Sequence, residues 1–383
     1  MTGTPPTLTR RQLNRALLAR QDLLARAGRS VPEEVEHLVG LQAQEPLDPY
    51  TALWSRLEGF APAALGAGLE DRTLARLVTW RGTVHLHTAD DALLARGLAQ
   101  EVVERRISPG NVFGRATAGV DLDAVLADVW AWIGEEPRSG AEVKARIGEA
   151  GSSDVERLVD VVKYLLPTVQ VPPRGVWGRS GAARWAPLDQ WLGRPLAAAG
   201  PDDEDAVILR YLAAFGPASA ADIATWSGWI GVRAKLDRLA GRLVTYRHED
   251  TGRLLVDVPD GARPDPDVPA PVRFLPEFDD VLLSHADRSR IVPDGLGGGA
   301  LVEVVARPRV VLVDGSVGGL WSIRREDGRA TLVLRPLVRW TRAQRRDAET
   351  EGVALLGLHA PDADHDVDVI RPERSGTPAA ARR

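Results

Sequence analysis

The chain has 383 residues, enough for two or three domains with cores of their own, since a single core stops growing beyond ~250–300 residues. Hydrophobic residues make up 44% and charged residues 26%, an ordinary soluble balance, and a net charge of −5 argues mildly against nucleic acid without excluding a local basic groove. Having no cysteine excludes disulfides, thiolate nucleophiles and cysteine-ligated zinc; with no signal-like stretch and no apolar run near the ~18 residues of a membrane span, the expected compartment is the cytoplasm.

Thr9-x-x-Gln12 reads as a capping box opening a helix marked by Leu13, Leu17 and Leu24. Arg10, Arg11, Arg15, Arg20, Arg26 and Arg29 face only Asp22 there, a basic island in an acidic chain. A second helix is expected from Pro32 through residue 41, where Pro46 limits any continuation. Then comes Leu41-Gln42-Ala43-Gln44-Glu45-Pro46. In extended backbone, side chains two apart point to one side, so Gln42 and Gln44 could offer two acceptor oxygens to a single water or ligand. The ordinary alternative is a pair of solvated amides, since glutamine is mostly exposed.

Residues 50–57 and 72–78 read as helices, 83–87 as a short strand carrying His85 and His87, and Thr88 as the cap of the next helix. Next, the sequence repeats itself. Pro137, Ser139, Ala141, Glu142, Val143 and Gly148 recur eighty positions later as Pro217, Ser219, Ala221, Asp222, Ile223 and Gly228. Each copy reads helix, helix, helix, hairpin: 122–133, a short capped helix and 154–166 with β-type residues 168–171, 176–177 and 184–185; then 206–215, a capped helix and 232–243 with 243–246 and 254–258. That unit is the signature of a helix-turn-helix module with a wing, and the earlier helices and strand are compatible with a third, more divergent copy. A second basic island, Arg233, Lys235, Arg238, Arg242 and Arg247, lies in the last copy.

After a Pro-rich linker at 263–267, short β-rich runs at 272–275, 301–305, 310–313, 319–324 and 330–334 suggest a small barrel or sheet. A helix at 342–351 and a strand-like 354–358 would close it. The expected division is α+β: winged-helix modules at 1–118, 119–200 and 201–262, a β-barrel at 263–370, and a disordered tail at 371–383.

Several segments taken together resemble the winged-helix DNA-binding family of AlkZ-like bacterial alkylpurine DNA glycosylases. They are Leu41 to Glu45; Trp80-Arg81-Gly82-Thr83-Val84-His85; Leu275-Pro276-Glu277-Phe278-Asp279-Asp280 running on through Ser284 to Arg290; and Val313-Asp314-Gly315 with Gly319 and Trp321. The resemblance spans roughly residues 8–360 and implies three tandem winged helices and a barrel arranged as a C-shaped clamp. It makes Gln42 and Gln44 the catalytic pair, with Gln42-Ala43-Gln44 matching the all-glutamine form of the family's signature. It also implies that a barrel hairpin reaches the duplex, so His285, Arg288 and Arg290 become expected DNA contacts, joined by His85 and by Arg81 before the first wing.

Ordinary glycosidases use a carboxylic acid and a carboxylate at the glycosidic bond, and an amide does neither job near neutral pH. A Gln-x-Gln site therefore suits a base that leaves easily, such as a cationic N7-alkylpurine. The expected activity is a monofunctional glycosylase, monomeric, on double-stranded DNA carrying alkylated purines, with no cofactor, metal or membrane partner; no lysine lies near the Gln pair in sequence for Schiff-base chemistry. The rivals are a non-catalytic winged-helix DNA-binding protein or regulator, and a metal hydrolase using His85 and His87. Glu45 and Asp48 are supporting candidates. Asp279 and Asp280 read either as paired carboxylates or as organisers of the junction between barrel and third module, and Trp54, Trp80, Trp177, Trp185 and Trp321 as core or seam residues.

Overall fold

A computed structural model describes residues 4–148, 150–196, 198–294, 296 and 309–370. The Gly297-Gly298-Gly299 turn, the 301–305 strand and the 371–383 tail lie outside the described residues.

The fold is mixed α+β. Thr9 and Gln12 cap the Arg10–Arg20 helix reciprocally, as their spacing implies. Leu17 and Leu18 on that helix share a core with Val207, Ile208, Tyr211 and Leu212 of the Pro201–Phe215 helix. The strand before it, Thr7–Leu8, pairs in parallel with Val244–His248, which pairs in turn with Leu254–Asp257. The N-terminus thus packs on the last repeat. Helix Val31–His37, capped by Ser30 and Glu33, stops at Val39 (φ 58°) and Gly40 (φ 95°), and a Cβ at Gly40 would strike the His87 ring.

Both repeats show the expected order of helix, helix, helix, hairpin. The first is Leu122–Glu135, Gly140–Arg146 and Val155–Leu165 with strands Thr168–Val171 and Arg184–Pro187. The second is Pro201–Phe215, Ala220–Ser227 and Val232–Arg238 with Val244–His248 and Leu254–Asp257. The matched residues explain themselves: Ser139 with Glu142, and Ser219 with Asp222, form the same capping box. Residues 176–177, expected to be β-type, lie in a turn instead.

Residues 72–78 are not helical. Arg72 takes φ 69° and Leu74–Val78 is a strand, paired with Val84–Thr88 on one side and Thr168–Val171 on the other. Buried through most of its length, it lacks polar alternation, and a short apolar run without alternation reads equally as helix or strand. It is the seam of a six-stranded sheet ordered Leu41–Gln42, Val84–Thr88, Leu74–Val78, Thr168–Val171, Arg184–Pro187, Arg138–Ser139. One sheet therefore joins the first segment to the first repeat.

The C-terminal strands Arg273–Leu275, Val310–Val313, Ser316–Glu326, Arg329–Pro336 and Asp364–Val369 form one sheet in that order. Among the described residues it is open rather than a closed barrel, because helix Arg342–His359 carries the chain back to lay the last strand parallel to Arg329–Pro336. Residues 354–358, expected as a strand, belong to that helix: Ala348, Gly352, Leu355 and Leu356 form its buried face at helical spacing.

Candidate active site

The turn at Val39 and Gly40 delivers the chain into the short strand Leu41–Gln42, with Gln42 opposite His85. Positive φ at a β-branched residue costs on the order of 1–3 kcal/mol, and Trp80 braces it by donating Nε1–H to the Val39 carbonyl at 3.1 Å. The Gln42 backbone N–H donates to Asp280 Oδ2 at 3.1 Å, and its side-chain Oε1 accepts from Arg81 Nη2 at 2.6 Å. A guanidinium only donates, so Arg81 fixes which end of the buried amide faces it.

Arg81 projects from the 3-10 turn Trp80–Gly82, again at positive φ (56°). Its Nη1 donates to the Trp226 carbonyl at 2.8 Å, while Nη2 also stands 3.3 Å from Asp280 Oδ1 and 3.4 Å from His85 Nε2. The rings of Trp80, Trp226, Trp229 and Tyr211 pack beneath. Burial lowers the Arg81 pKa, partly offset by Asp280. Burial likewise lifts the Asp280 carboxyl above its ordinary range, opposed by Arg81. His85 is pushed well below its usual value, first by burial and then by Arg81, so it is neutral; its Nδ1 meets the Thr83 carbonyl at 2.9 Å, leaving the Nε2 lone pair toward Arg81. Of the expected DNA contacts, His85 is thus buried against Arg81 and the Thr83 carbonyl, and Arg81 is turned inward onto Gln42, Trp226 and Asp280.

His87, lowered to about 4 by burial, bonds Thr79 Oγ1 at 2.9 Å. The two histidines have separate partners, and among the described residues no group of three His, Asp or Glu side chains is placed to hold a metal.

Gln44 is exposed. Its Oε1 lies 3.4 Å from the Val84 N–H, and its side chain lines a cleft of about 170 Å³ between the 74–88 hairpin and the Val155–Leu165 helix. The two amides therefore sit on one short segment, Gln42 anchored and Gln44 weakly held. Lys163 lines the same cleft, which corrects the expectation of no nearby lysine: its ammonium donates to Asp160 at 3.2 Å and lies 4.8 Å from the Trp185 ring centre. Glu45 is exposed. Asp48, the first residue of helix Asp48–Arg56, is only 4% exposed, and burial pushes it up to about 8.

Asp279 follows Phe278, a third residue near the site at positive φ (59°), and makes a fully buried fork with Arg56 at 2.8 and 2.9 Å. Asp279 and Asp280 therefore join the C-terminal sheet to the first segment rather than to the last repeat. The loop beyond makes that other junction. His285, lowered to about 3 chiefly by burial, bonds the Phe215 carbonyl at 3.1 Å; Arg290 donates to the Pro217 carbonyl at 2.9 Å; and Ala286 N–H donates to Asp222 at 2.8 Å. His285 and Arg290 are 2% and 3% exposed, so neither offers a surface to DNA in this structure. Arg288 is half-buried and has no side-chain hydrogen bond or ion pair among the described residues, which leaves its guanidinium available. Asp280 and Lys163 are the members of the site that sequence reasoning undervalued. A signal existed for Asp280, in the Asp279-Asp280 pair; for Lys163 only the shared sheet brings it to Gln44.

A family model described as DNA glycosylase AlkZ-like matches residues 35–358. Among solved structures, the chain is similar to Streptomyces sahachiroi DNA glycosylase AlkZ, at 18% identity and a TM-score of 0.76, covering 95% of this chain and 100% of that one. No curated protein sequence matches it significantly.

Proposed function

The chain belongs to the AlkZ-like DNA glycosylase family, and from that premise we propose that it hydrolyses the N-glycosidic bond of N7-alkylated purines in double-stranded DNA, with water held between Gln42 and Gln44. The observation that carries this reading is the fixed amide of Gln42, its oxygen on Arg81 and its backbone on Asp280, two residues from the exposed amide of Gln44. Arg81 and Asp280 are positioning residues in this scheme.

The water oxygen bonds to C1′ as the C1′–N9 bond breaks, and the bonding pair stays on N9. The N7-alkylated base is already cationic, so it departs neutral without a proton donor. Gln42 NH₂ donates to the water and the Gln44 carbonyl accepts from it; the displaced proton goes to solvent, because an amide does not hold one at neutral pH. Undamaged bases leave as anions and fall outside the reach of two amides. Water, not a protein amine, is the nucleophile, making the enzyme monofunctional: the Lys163 ammonium is already engaged by Asp160 and Trp185. The two repeats lie on the duplex as winged helices, with Arg288 meeting phosphate while His285 and Arg290 hold its loop.

The test is single-turnover base release from a duplex carrying one N7-methylguanine, with protein in excess. Abasic product should form faster than spontaneous loss, and none from undamaged duplex. Rates equal to the spontaneous background would overturn the proposal.

A further inference from the structure

Strand Leu74–Val78 carries one charged side chain into an apolar core. By the two-residue alternation of a strand, Arg76 shares a face with Leu74, which packs with Leu41, Tyr50, Val84 and Leu86, and only 2% of it is exposed. Its Nη2 donates to the Ala43 carbonyl at 2.8 Å, on the residue between the two glutamines. Among the described residues, Nε and Nη1 have no hydrogen-bond partner and no carboxylate is paired with the guanidinium. Burial lowers its pKa to about 10, and Arg174 opposes its charge more strongly than Glu45 favours it, yet it is protonated at neutral pH. Gly175 makes room for it: the chain there takes φ 90°, and a Cβ would lie 3.0 Å from Nη1.

Packing does not account for such a residue. A buried guanidinium without a counter-ion loses more in desolvation than one hydrogen bond to a neutral carbonyl returns, and a methionine fills similar space without that penalty. Exceptions of this kind are expected where function holds a group in place. What Arg76 changes is the ladder. Leu41 and Gln42 stand opposite Leu86 and His85, which puts Ala43 opposite Val84. A hydrogen-bonded antiparallel pair exchanges both N–H···O bonds, but here Ala43 N–H donates to the Val84 carbonyl at 2.8 Å without return. The Ala43 carbonyl turns to Arg76 instead, and the Val84 N–H left over is met at 3.4 Å by Gln44 Oε1.

We propose that Arg76 is the positioning residue of Gln44: by drawing the Ala43 carbonyl out of the ladder it fixes the peptide from which Gln44 leaves the sheet, and it frees the Val84 N–H for the Gln44 amide. Gln42 is oriented by Arg81 and Asp280, and Gln44 by Arg76. The inference rests on the glycosylase reading above and extends it to the second glutamine, whose side chain has no strong bond of its own. Without the guanidinium, the Ala43 carbonyl returns to the Val84 N–H in ordinary antiparallel pairing. The buried carbonyl then stays satisfied, and it is the Gln44 amide that loses its place.

The experiment compares the parent chain with Arg76→Met and Arg76→Lys in three measurements: single-turnover release of N7-methylguanine with duplex affinity alongside, thermal melts, and amide hydrogen exchange at Val84 by NMR on the isotopically labelled full chain. In Arg76→Met the rate should fall about tenfold at unchanged affinity, the loss of roughly one charge-assisted hydrogen bond. Its melting temperature should be no lower than the parent's, because an unpaired buried charge has gone. Exchange at Val84 should slow by about tenfold as its N–H takes the Ala43 carbonyl. Arg76→Lys keeps the charge and one donor and should recover part of the rate. A parent-like rate in Arg76→Met, unchanged exchange at Val84, or a rate that falls only together with the melting temperature would overturn the positioning role. The two proposals fail separately: a parent that releases no base loses the glycosylase reading while exchange at Val84 still decides what Arg76 holds, whereas a parent that releases base no faster than its folded variants loses only the role of Arg76.

Discussion

Arg81 shows how burial changes a residue's job. In sequence it is a charged group before a strand, and a phosphate contact is the natural expectation; in the structure its side chain is 16% exposed and spends its donors on Gln42, Trp226 and Asp280. Arg81→Lys keeps the charge and loses the planar fork that serves these partners together. Its single-turnover rate should fall about tenfold, the cost of roughly one charge-assisted hydrogen bond, with duplex affinity unchanged. Weakened binding at an unchanged rate would return Arg81 to the DNA interface. The spacing of Gln42 and Gln44 was legible without a structure, because it depends only on extended backbone. Their unequal environments were not, since the partners of Gln42 come from residues 81 and 280.

Asp48 yields a stability prediction with a definite sign. Its folded pKa of about 8 lies above the ordinary aspartate value of 3.8, so the folded state binds the proton more tightly than the unfolded one. The contribution is complete below pH 3.8 and is lost as pH rises toward 8, each pKa unit corresponding to about 1.4 kcal/mol. Asp48→Asn removes that dependence. Thermal melts should show the variant gaining on the parent between pH 5 and pH 9; parallel curves across that range would contradict the buried carboxyl.

At the scale of elements, the caps and helical periodicities were readable and the seams were not. Thr9 with Gln12, Ser139 with Glu142 and Ser219 with Asp222 declare helix starts from sequence alone. Residues 72–78 and 354–358 misled for one shared reason. A short apolar run bears no periodicity of its own, and neighbours decide whether it becomes a central strand or the last turns of a helix. The junction between the Asp48–Arg56 helix and the Asp280–Leu283 turn rests on the buried Arg56–Asp279 fork. Arg56→Met leaves the buried Asp279 carboxyl without its counter-ion, with only the Val281 N–H still donating to it, which should cost about 3–5 kcal/mol. Adding Asp279→Leu should restore most of it in denaturant melts, because the fork's value lies mainly in avoiding an unpaired charge; an unimproved double variant would show that the pair itself stabilises the junction.

For the whole molecule, charge was the least legible property. The first basic island is internal mortar: Arg15 and Arg20 are buried on Asp314 and Asp257, Arg10 pairs with Asp250 and Asp294, and Arg26 with Glu351. In the second, Lys235 and Arg238 pair with Glu204 and Asp205, while Arg233 and Arg242 remain exposed. Counting arginines along a chain cannot separate those that hold domains together from those that meet phosphate, because the acidic partners of Arg10, Arg15, Arg20 and Arg26 lie more than two hundred residues away. Among the described residues the C-terminal sheet is open for the same kind of reason, its last strand returning by way of a helix rather than closing an edge. What the sequence did convey at this scale was the tandem repeat and the family motifs; that the glutamine segment lies in the sheet joining the first segment to the first repeat came only from the structure.

The most direct test of the central claim is the single-turnover rate of N7-methylguanine release for the parent chain, Gln42→Ala and Gln44→Ala, each at saturating protein with duplex affinity measured alongside. The expected result is a fall of about tenfold or more in either variant at unchanged affinity, the loss of a group that acts mainly in the transition state. Equal rates in all three proteins would remove the glutamine pair from the reaction and return both side chains to structural roles.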